Sequence, residues 1–116
     1  MLAGRSSQTD ESIAAEEYPN LKAIYCCNDG MAMGVIQAVI TSGKLGEIYV
    51  CGTDGDKDAV ESVSNGELTA TVAQNPAGIG VAGLQGLMEA IANPEAYPAS
   101  AEPEKTPVAA VMVTKD

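Results

Sequence analysis

Three short strings in this sequence carry side chains suited to chemistry: Asn28-Asp29, Thr53-Asp54-Gly55 and Gln74-Asn75. Each follows an apolar run and so stands where a strand would end. An Asn or Gln amide both donates and accepts hydrogen bonds, whereas an ionised Asp only accepts. That mixture matches adjacent hydroxyl groups, which also donate and accept. It suits a phosphate poorly, because the Asp54 carboxylate would repel the anion. Asn28, Asp54 and Gln74 together point to a neutral polyol or sugar. The competing explanation is local, since Asn and Asp are favoured as N-caps and in Asx-turns where a strand passes into a helix. On that view Asp29 caps the helix that follows it, and Asp56 or Asp58 caps the next. Three such groups at equivalent strand ends tip the balance towards a ligand.

The elements that must position them alternate along the chain. Residues 7–18 read as an acidic helix with Ile13 and Ala14 on its apolar side, stopped by Pro19 and Asn20. The run 21–27 is unbroken in its apolar character from Ala23 onward, which predicts a strand buried on both faces. A helix over 31–42 follows, with Ala32, Val35, Ile36, Val39 and Ile40 at spacings of three and four. Gly43 sits where a left-handed C-cap belongs. A second strand is predicted at 48–52, a helix at 57–64 ended by Gly66, and a third strand at 68–73. The longest helix spans 77–92, with Ile79, Leu84, Leu87, Met88 and Ile91 as its stripe and Asn93-Pro94 at its close. The last strand is 108–113. Strands alternating with helices imply an α/β fold with mostly parallel pairing in a sheet of about four strands. In such sheets ligands bind beyond the carboxyl ends of the strands. All three strings lie there.

Composition removes several function classes. The 116 residues amount to one domain or a piece of one. At 46% apolar and 19% charged, the chain is globular in character. With no Phe and no Trp, its core must be built from aliphatic side chains. Six basic residues against sixteen acidic ones give a net charge of −10. Arg5, Lys22, Lys44, Lys57, Lys105 and Lys115 cannot assemble a patch for nucleic acid or an anionic membrane. The absence of His excludes a Ser-His-Asp triad and a His-based zinc site. No nucleophile–base pair suggests an enzyme, and Gly52-Thr53-Asp54-Gly55 is too short and acidic to cradle phosphate. Cys26, Cys27 and Cys51 lack zinc-site spacing and read as buried thiols, with the adjacent pair pointing to opposite faces of a strand. No cofactor or metal is expected.

Two further motifs fail on inspection. Asp54, Asp56 and Asp58 begin like a calcium loop, but Ala59 stands where Gly is needed and Asn65 where Glu is needed. Asp54 with Lys105 suggests a receiver domain of a signalling protein. That match is by length and order alone, since Asp10 and Glu11 lie in a helical context. The opening MLAGRSSQTDES has no apolar core of a signal peptide, and no run approaches a membrane span. The chain as given therefore reads as soluble and not addressed for export.

The strings KAIYCCNDGMAMGVIQAV, VCGTDGDKDAVESVSNGELTATVAQNP and TPVAAVMVTKD resemble the C-terminal part of periplasmic sugar-binding proteins, the ribose- and allose-type receptors of bacterial ABC transporters. The resemblance covers about residues 18–116. It implies a three-layer fragment from the C-terminal lobe of that fold, periplasmic or extracytoplasmic location, and a neutral monosaccharide and a permease as partners. It also implies that Asn28, Asp54 and Gln74 hydrogen-bond the sugar, the same three side chains picked above on chemical grounds. Family members are longer, with two lobes joined by a three-segment hinge and the sugar often sandwiched by aromatic rings. Thr53 stands where relatives often have Phe, and the opening dozen residues match less well.

Residues 1–20 are then a poorly matched N-terminal helix, 21–74 a βαβαβ core, 75–107 a helix and connector of the other lobe, and 108–116 the final strand. The helix 77–92, with Gly80, Gly83 and Gly86 allowing close approach, is expected either to fold back onto the chain's own sheet or to pair with a second copy; the sheet edge is another route to a homodimer. An effector-binding domain of a sugar-responsive transcriptional regulator shares the ancestral fold. The string NGELTATVAQNP and the lack of a helix-turn-helix favour the transport receptor.

Overall fold

In a computed structural model that describes residues 18–103 and 105–115, strands and helices alternate from Ala23 to the C-terminal end. They are β1 (Ala23–Tyr25), α1 (Asp29–Thr41), β2 (Tyr49–Asp54), α2 (Lys57–Ser64), β3 (Ala70–Ala73), α3 (Pro76–Ala92) and β4 (Val111–Thr114). A 3₁₀ turn at Pro94–Ala96 follows α3. The strands form one sheet in the order β1-β2-β3-β4. The first three are parallel and β4 runs antiparallel to β3. The fold is thus the mostly parallel α/β sheet that the alternation predicts. The strand predicted over 21–27 shortens to three residues, although Cys26 N–H still pairs with Cys51 carbonyl at 2.8 Å. The helix predicted over 7–18 lies outside the described residues, apart from exposed Tyr18.

The chain divides into two units, the first comprising described residues 18–74 and 111–115, the second residues 75–110. In the first, β1–α1–β2 and β2–α2–β3 are crossovers between adjacent parallel strands. Such connections are right-handed, so two in the same direction put both helices on one face. Accordingly α1 packs on β2, α2 on β3 and β4, and the helices touch each other. Ile24, Cys26, Ala32, Val35, Ile36, Val39, Ile48, Val50, Ala59, Val63 and Leu68 fill the space between. Every one is aliphatic or a thiol, as a chain without Phe or Trp requires.

The opposite face of the sheet corrects one expectation. Ile24 is buried, but its strand neighbours Ala23 and Tyr25 are exposed, so β1 is not buried on both sides. Tyr49 and Met112 are exposed on the same side. Continuity of the apolar run is a poor guide here because Ala23 and Tyr25 tolerate solvent as readily as burial. The second helical layer of a three-layer fragment is not seen among the described residues of this unit.

Both helices of this unit end the same way. Gly43 N–H bonds to Ile40 carbonyl and Lys44 N–H to Val39 carbonyl; Gly66 N–H bonds to Val63 carbonyl and Glu67 N–H to Ser62 carbonyl. These are Schellman caps, which need a left-handed residue. Gly43 and Gly66 supply it, with φ of +69° and +78°.

In the second unit Asn75 caps α3, its Oδ1 accepting from Gly78 N–H at 2.8 Å, and Pro76 occupies the first helical turn. No residue of α3 is buried. Val81, Leu84, Leu87, Met88 and Ile91 are all more than half exposed.

Candidate functional site at the carboxyl ends of the strands

Asn28, Asp54 and Gln74 lie at the carboxyl ends of β1, β2 and β3, which are neighbours in the sheet. The fold therefore brings the three residues to one edge. Their side chains have different local duties.

Asn28 is the N-cap of α1. Its backbone is extended (φ −150°, ψ 165°) and its Oδ1 accepts from Met31 N–H at 2.8 Å. The structure moves both the expected cap at Asp29 and the expected helix start at 31, because Asn28 makes the capping bond and Asp29 is already helical. Capping uses the oxygen of Asn28 and leaves its amide NH₂ as a donor at the exposed edge. Asp56 caps α2 by position only, without a side-chain bond.

Asp54 is partly exposed and sits at φ +130°, the one positive-φ residue other than glycine among the described residues. A backbone held there costs on the order of 1–3 kcal/mol and persists only when its surroundings enforce it. Gln74 enforces part of it: its N–H bonds to the Asp54 carbonyl at 3.1 Å, and its Nε2 donates to Asp54 Oδ1 at 2.7 Å. The pair thus presents a carboxylate, whose remaining oxygen accepts, beside an amide oxygen that also accepts. With the Asn28 amide the edge offers donors and acceptors together.

Beneath this edge lies a residue whose role the sequence did not reveal. Asp29 is 1% exposed. Its Oδ2 accepts from Gly55 N–H and Asp56 N–H, both at 2.8 Å, and its Oδ1 accepts from the Thr71 hydroxyl at 2.7 Å. Gly52 makes room for it, since a Cβ there would overlap Asp29 Oδ1 and lie 3.0 Å from Ala32 Cβ. Gly55, at φ +78°, packs against β3, where a Cβ would fall on the Cβ of Ala73 and 2.6 Å from its Cα. The signal available in the sequence was Gly52 inside a strand, which marks close approach. On the open sheet face, the Tyr25 hydroxyl and Thr53 Oγ1 are hydrogen-bonded at 3.0 Å. A shallow cavity of about 270 Å³ lies at the other end of the strands, lined by Ile48, Tyr49, Leu68 and Thr69 among others. Glu67 and Lys115 also line it, but it has no side-chain amide, whereas the Asn28–Asp54–Gln74 edge sets two amides beside a carboxylate and is the better candidate on chemistry.

The cysteines differ sharply in access. Cys26 is buried and Cys51 intermediate, but Cys27 is exposed, against the expectation of buried thiols, because β1 ends at Tyr25 and Cys27 lies beyond it. Burial pushes the Cys51 thiol above its ordinary pKa. The folded state then holds that proton more tightly than the unfolded one. Its contribution to stability is full below the ordinary thiol range and is lost as pH rises through the raised value. At pH 8, iodoacetamide should modify Cys27 first, Cys51 more slowly and Cys26 last, as read by peptide mass mapping over time. Equal rates at all three would contradict the burial order.

Comparison with known proteins places the chain in a family. A family model described as a periplasmic binding protein domain matches residues 3–95. The chain is 50% identical over 97 residues to a D-allose-binding periplasmic protein of Escherichia coli K12, covering 84% of this chain and 31% of that protein. It is 46% identical over 63 residues to a ribose import binding protein of Bacillus subtilis 168, covering 54% and 20%. Among solved structures, an ABC transporter periplasmic solute binding protein from Actinobacillus succinogenes with bound D-allose superposes with a TM-score of 0.75 at 27% identity. That match covers 93% of this chain and 36% of the other. The chain spans about a third or less of the length of these relatives. These matches agree with the resemblance drawn from the three sequence strings.

Proposed function

The chain belongs to the periplasmic binding protein domain family, and from that premise we propose that it carries one side of a binding site for a neutral monosaccharide, as part of an ABC-transporter substrate-binding protein. The observation that carries this reading is Asp54, a partly exposed carboxylate held at φ +130° by Gln74 at the edge where sugars would meet the sheet. Strain kept at a polar, partly exposed position fits a preorganised ligand contact. Asn28 would donate to a sugar hydroxyl, Asp54 accept from one or two, and Gln74 Oε1 accept from another. A sugar of the allose or ribose type is the natural first probe, since relatives are named for these. The proposed setting is extracytoplasmic, with delivery to a membrane permease and no catalysis. The matched relatives are transport binding proteins, which favours this reading over the effector domain of a regulator.

Binding by the 116-residue chain should be weak, because the edge is open and touches a ligand from one side only. Titration with D-allose and D-ribose, followed by ¹H–¹⁵N NMR, should shift the amide signals of Asn28, Asp54, Gly55 and Gln74 with a millimolar midpoint. Asp54→Ala should abolish the shifts, removing hydrogen bonds to a charged group worth about 1.5–3 kcal/mol each. Micromolar affinity, or unchanged binding by the Asp54→Ala chain, would refute the one-sided site.

We extend the proposal to residues 75–110 as a segment of the second lobe, and to self-association through α3. Its Leu84, Leu87, Met88 and Ile91 fall on one helical face and are 57–71% exposed. An apolar stripe of that kind on a short acidic chain seeks cover, and a second copy is the partner always present. Sedimentation velocity should reveal a concentration-dependent dimer that Leu84→Glu with Leu87→Glu returns to monomer. A single monomeric species at every concentration would exclude the pairing.

A further inference from the structure

We propose that Asp29 is the positioning residue of this edge: without touching a ligand, it sets the conformation of Asp54 and thereby the affinity for sugar, an inference that rests on the reading of Asp54 above. The two backbone donors on Asp29 Oδ2 belong to Gly55 and Asp56, the residues directly after Asp54. Both N–H groups are drawn to Asp29 under the edge, in the same turn that holds Asp54 at φ +130°. The other oxygen takes the hydroxyl of Thr71 on β3, three residues before Gln74. One buried carboxylate therefore ties together the ends of the three strands that carry Asn28, Asp54 and Gln74.

The rest of the site is shaped to keep Asp29 where it is. It occupies the first turn of α1, where the helix dipole favours a negative group. Among the described residues it has no cationic partner; the ion pair found there is the exposed Lys44–Glu47 contact. Its compensation is the three donors and the helix terminus, so any change in the carboxylate is transmitted straight to the turn. Gly52 lacks the side chain that would displace it. A purely architectural anchor could have been built between the strands at any level of the sheet. This one engages the two peptide groups that define how Asp54 leaves the strand. Holding that turn before the ligand arrives removes an ordering cost from binding.

The test uses the 116-residue chain, isotope-labelled, with D-allose as probe. Asp29→Asn retains the shape: its Oδ1 can accept from both backbone N–H groups while its NH₂ donates to a Thr71 hydroxyl turned to accept. Hydrogen bonds to the neutral amide are about half as strong as those to the carboxylate. Amide hydrogen exchange at Gly55 and Asp56 should therefore speed up about tenfold. The Asp54 HN–Hα coupling, small at φ +130°, should rise towards the large value of ordinary extended backbone. D-allose affinity should fall by about the same factor as the protection. Thr71→Val should give a smaller effect of the same kind, and Thr71→Ser should restore parental behaviour. The proposal is overturned if the Asp29→Asn chain keeps parental exchange and coupling. It is equally overturned if these change and the affinity does not. If the parent chain shows no D-allose binding, the sugar reading fails; the coupling and exchange data then still decide whether Asp29 sets the Asp54 conformation.

Discussion

Adding one methyl group at Gly55 is expected to cost the chain about 3 kcal/mol, among the largest penalties available to so small a change. Two effects add. An L-residue at φ +78° suffers the left-handed penalty, about 1–2 kcal/mol. The new Cβ would also fall on Ala73, 2.6 Å from its Cα. That obstacle is backbone of β3, paired on both sides, and it cannot swing away as the tip of a long side chain could. Forcing it aside strains the ladder joining β2 to β3, for about 1–3 kcal/mol more. Urea unfolding of Gly55→Ala should show a lower midpoint with an unchanged slope. Gly43→Ala is the control, because Gly43 has a similar φ of +69° and nothing within 4 Å of an added Cβ. It should lose only the left-handed penalty. Equal losses at the two positions would mean that the approach of Gly55 to β3 carries no energetic weight.

Asp29→Ala should be of similar severity, at about 2–5 kcal/mol. The substitution removes one side chain and strands the N–H of Asp56 and the hydroxyl of Thr71, while the N–H of Gly55 keeps only its longer bond to Thr71 Oγ1 at 3.3 Å. Thr71 is itself 0% exposed, so its hydroxyl has no ready access to bulk water. Each stranded buried donor costs about 1–3 kcal/mol, partly relieved where water enters the space vacated. The total approaches the whole stability of an ordinary small domain, about 5–15 kcal/mol. Asp29→Asn, which keeps acceptors and donors in complementary places, should lose about 1–2 kcal/mol. The contrast between the two variants is the informative quantity. If Ala and Asn are equally mild, the hydrogen bonds of Asp29 do not sustain the fold.

The two substitutions also show which features are legible in the sequence. Asn28, Asp54 and Gln74 stand out because each closes an apolar run, and the structure has them at the ends of adjacent parallel strands. Helix stops are equally clear, because Gly43 and Gly66 are required by a local backbone geometry. Asp29 reads as a helix cap and is not one. Its neighbour Asn28 is an equally good capping residue, and nothing within a few residues separates the two. What separates them is distance along the chain: Asp29 bonds residues 26, 27 and 42 positions away. Thr71 gives no warning either, since a Thr in a strand is ordinary whether or not its hydroxyl is used.

By itself, then, the amino-acid order determined the alternation of strands and helices, their stops, and the polar groups at the strand ends. These depend on periodicity and on backbone preferences that act over a few residues. The tertiary structure alone decided that both crossover helices cover one face, that Tyr25 and Tyr49 remain exposed on the other, and that β4 runs antiparallel. It alone also decided which of two adjacent polar residues caps α1 and which is buried under three strand ends. Those outcomes depend on contacts between segments far apart in the chain, where chain reversal and burial outweigh local preference.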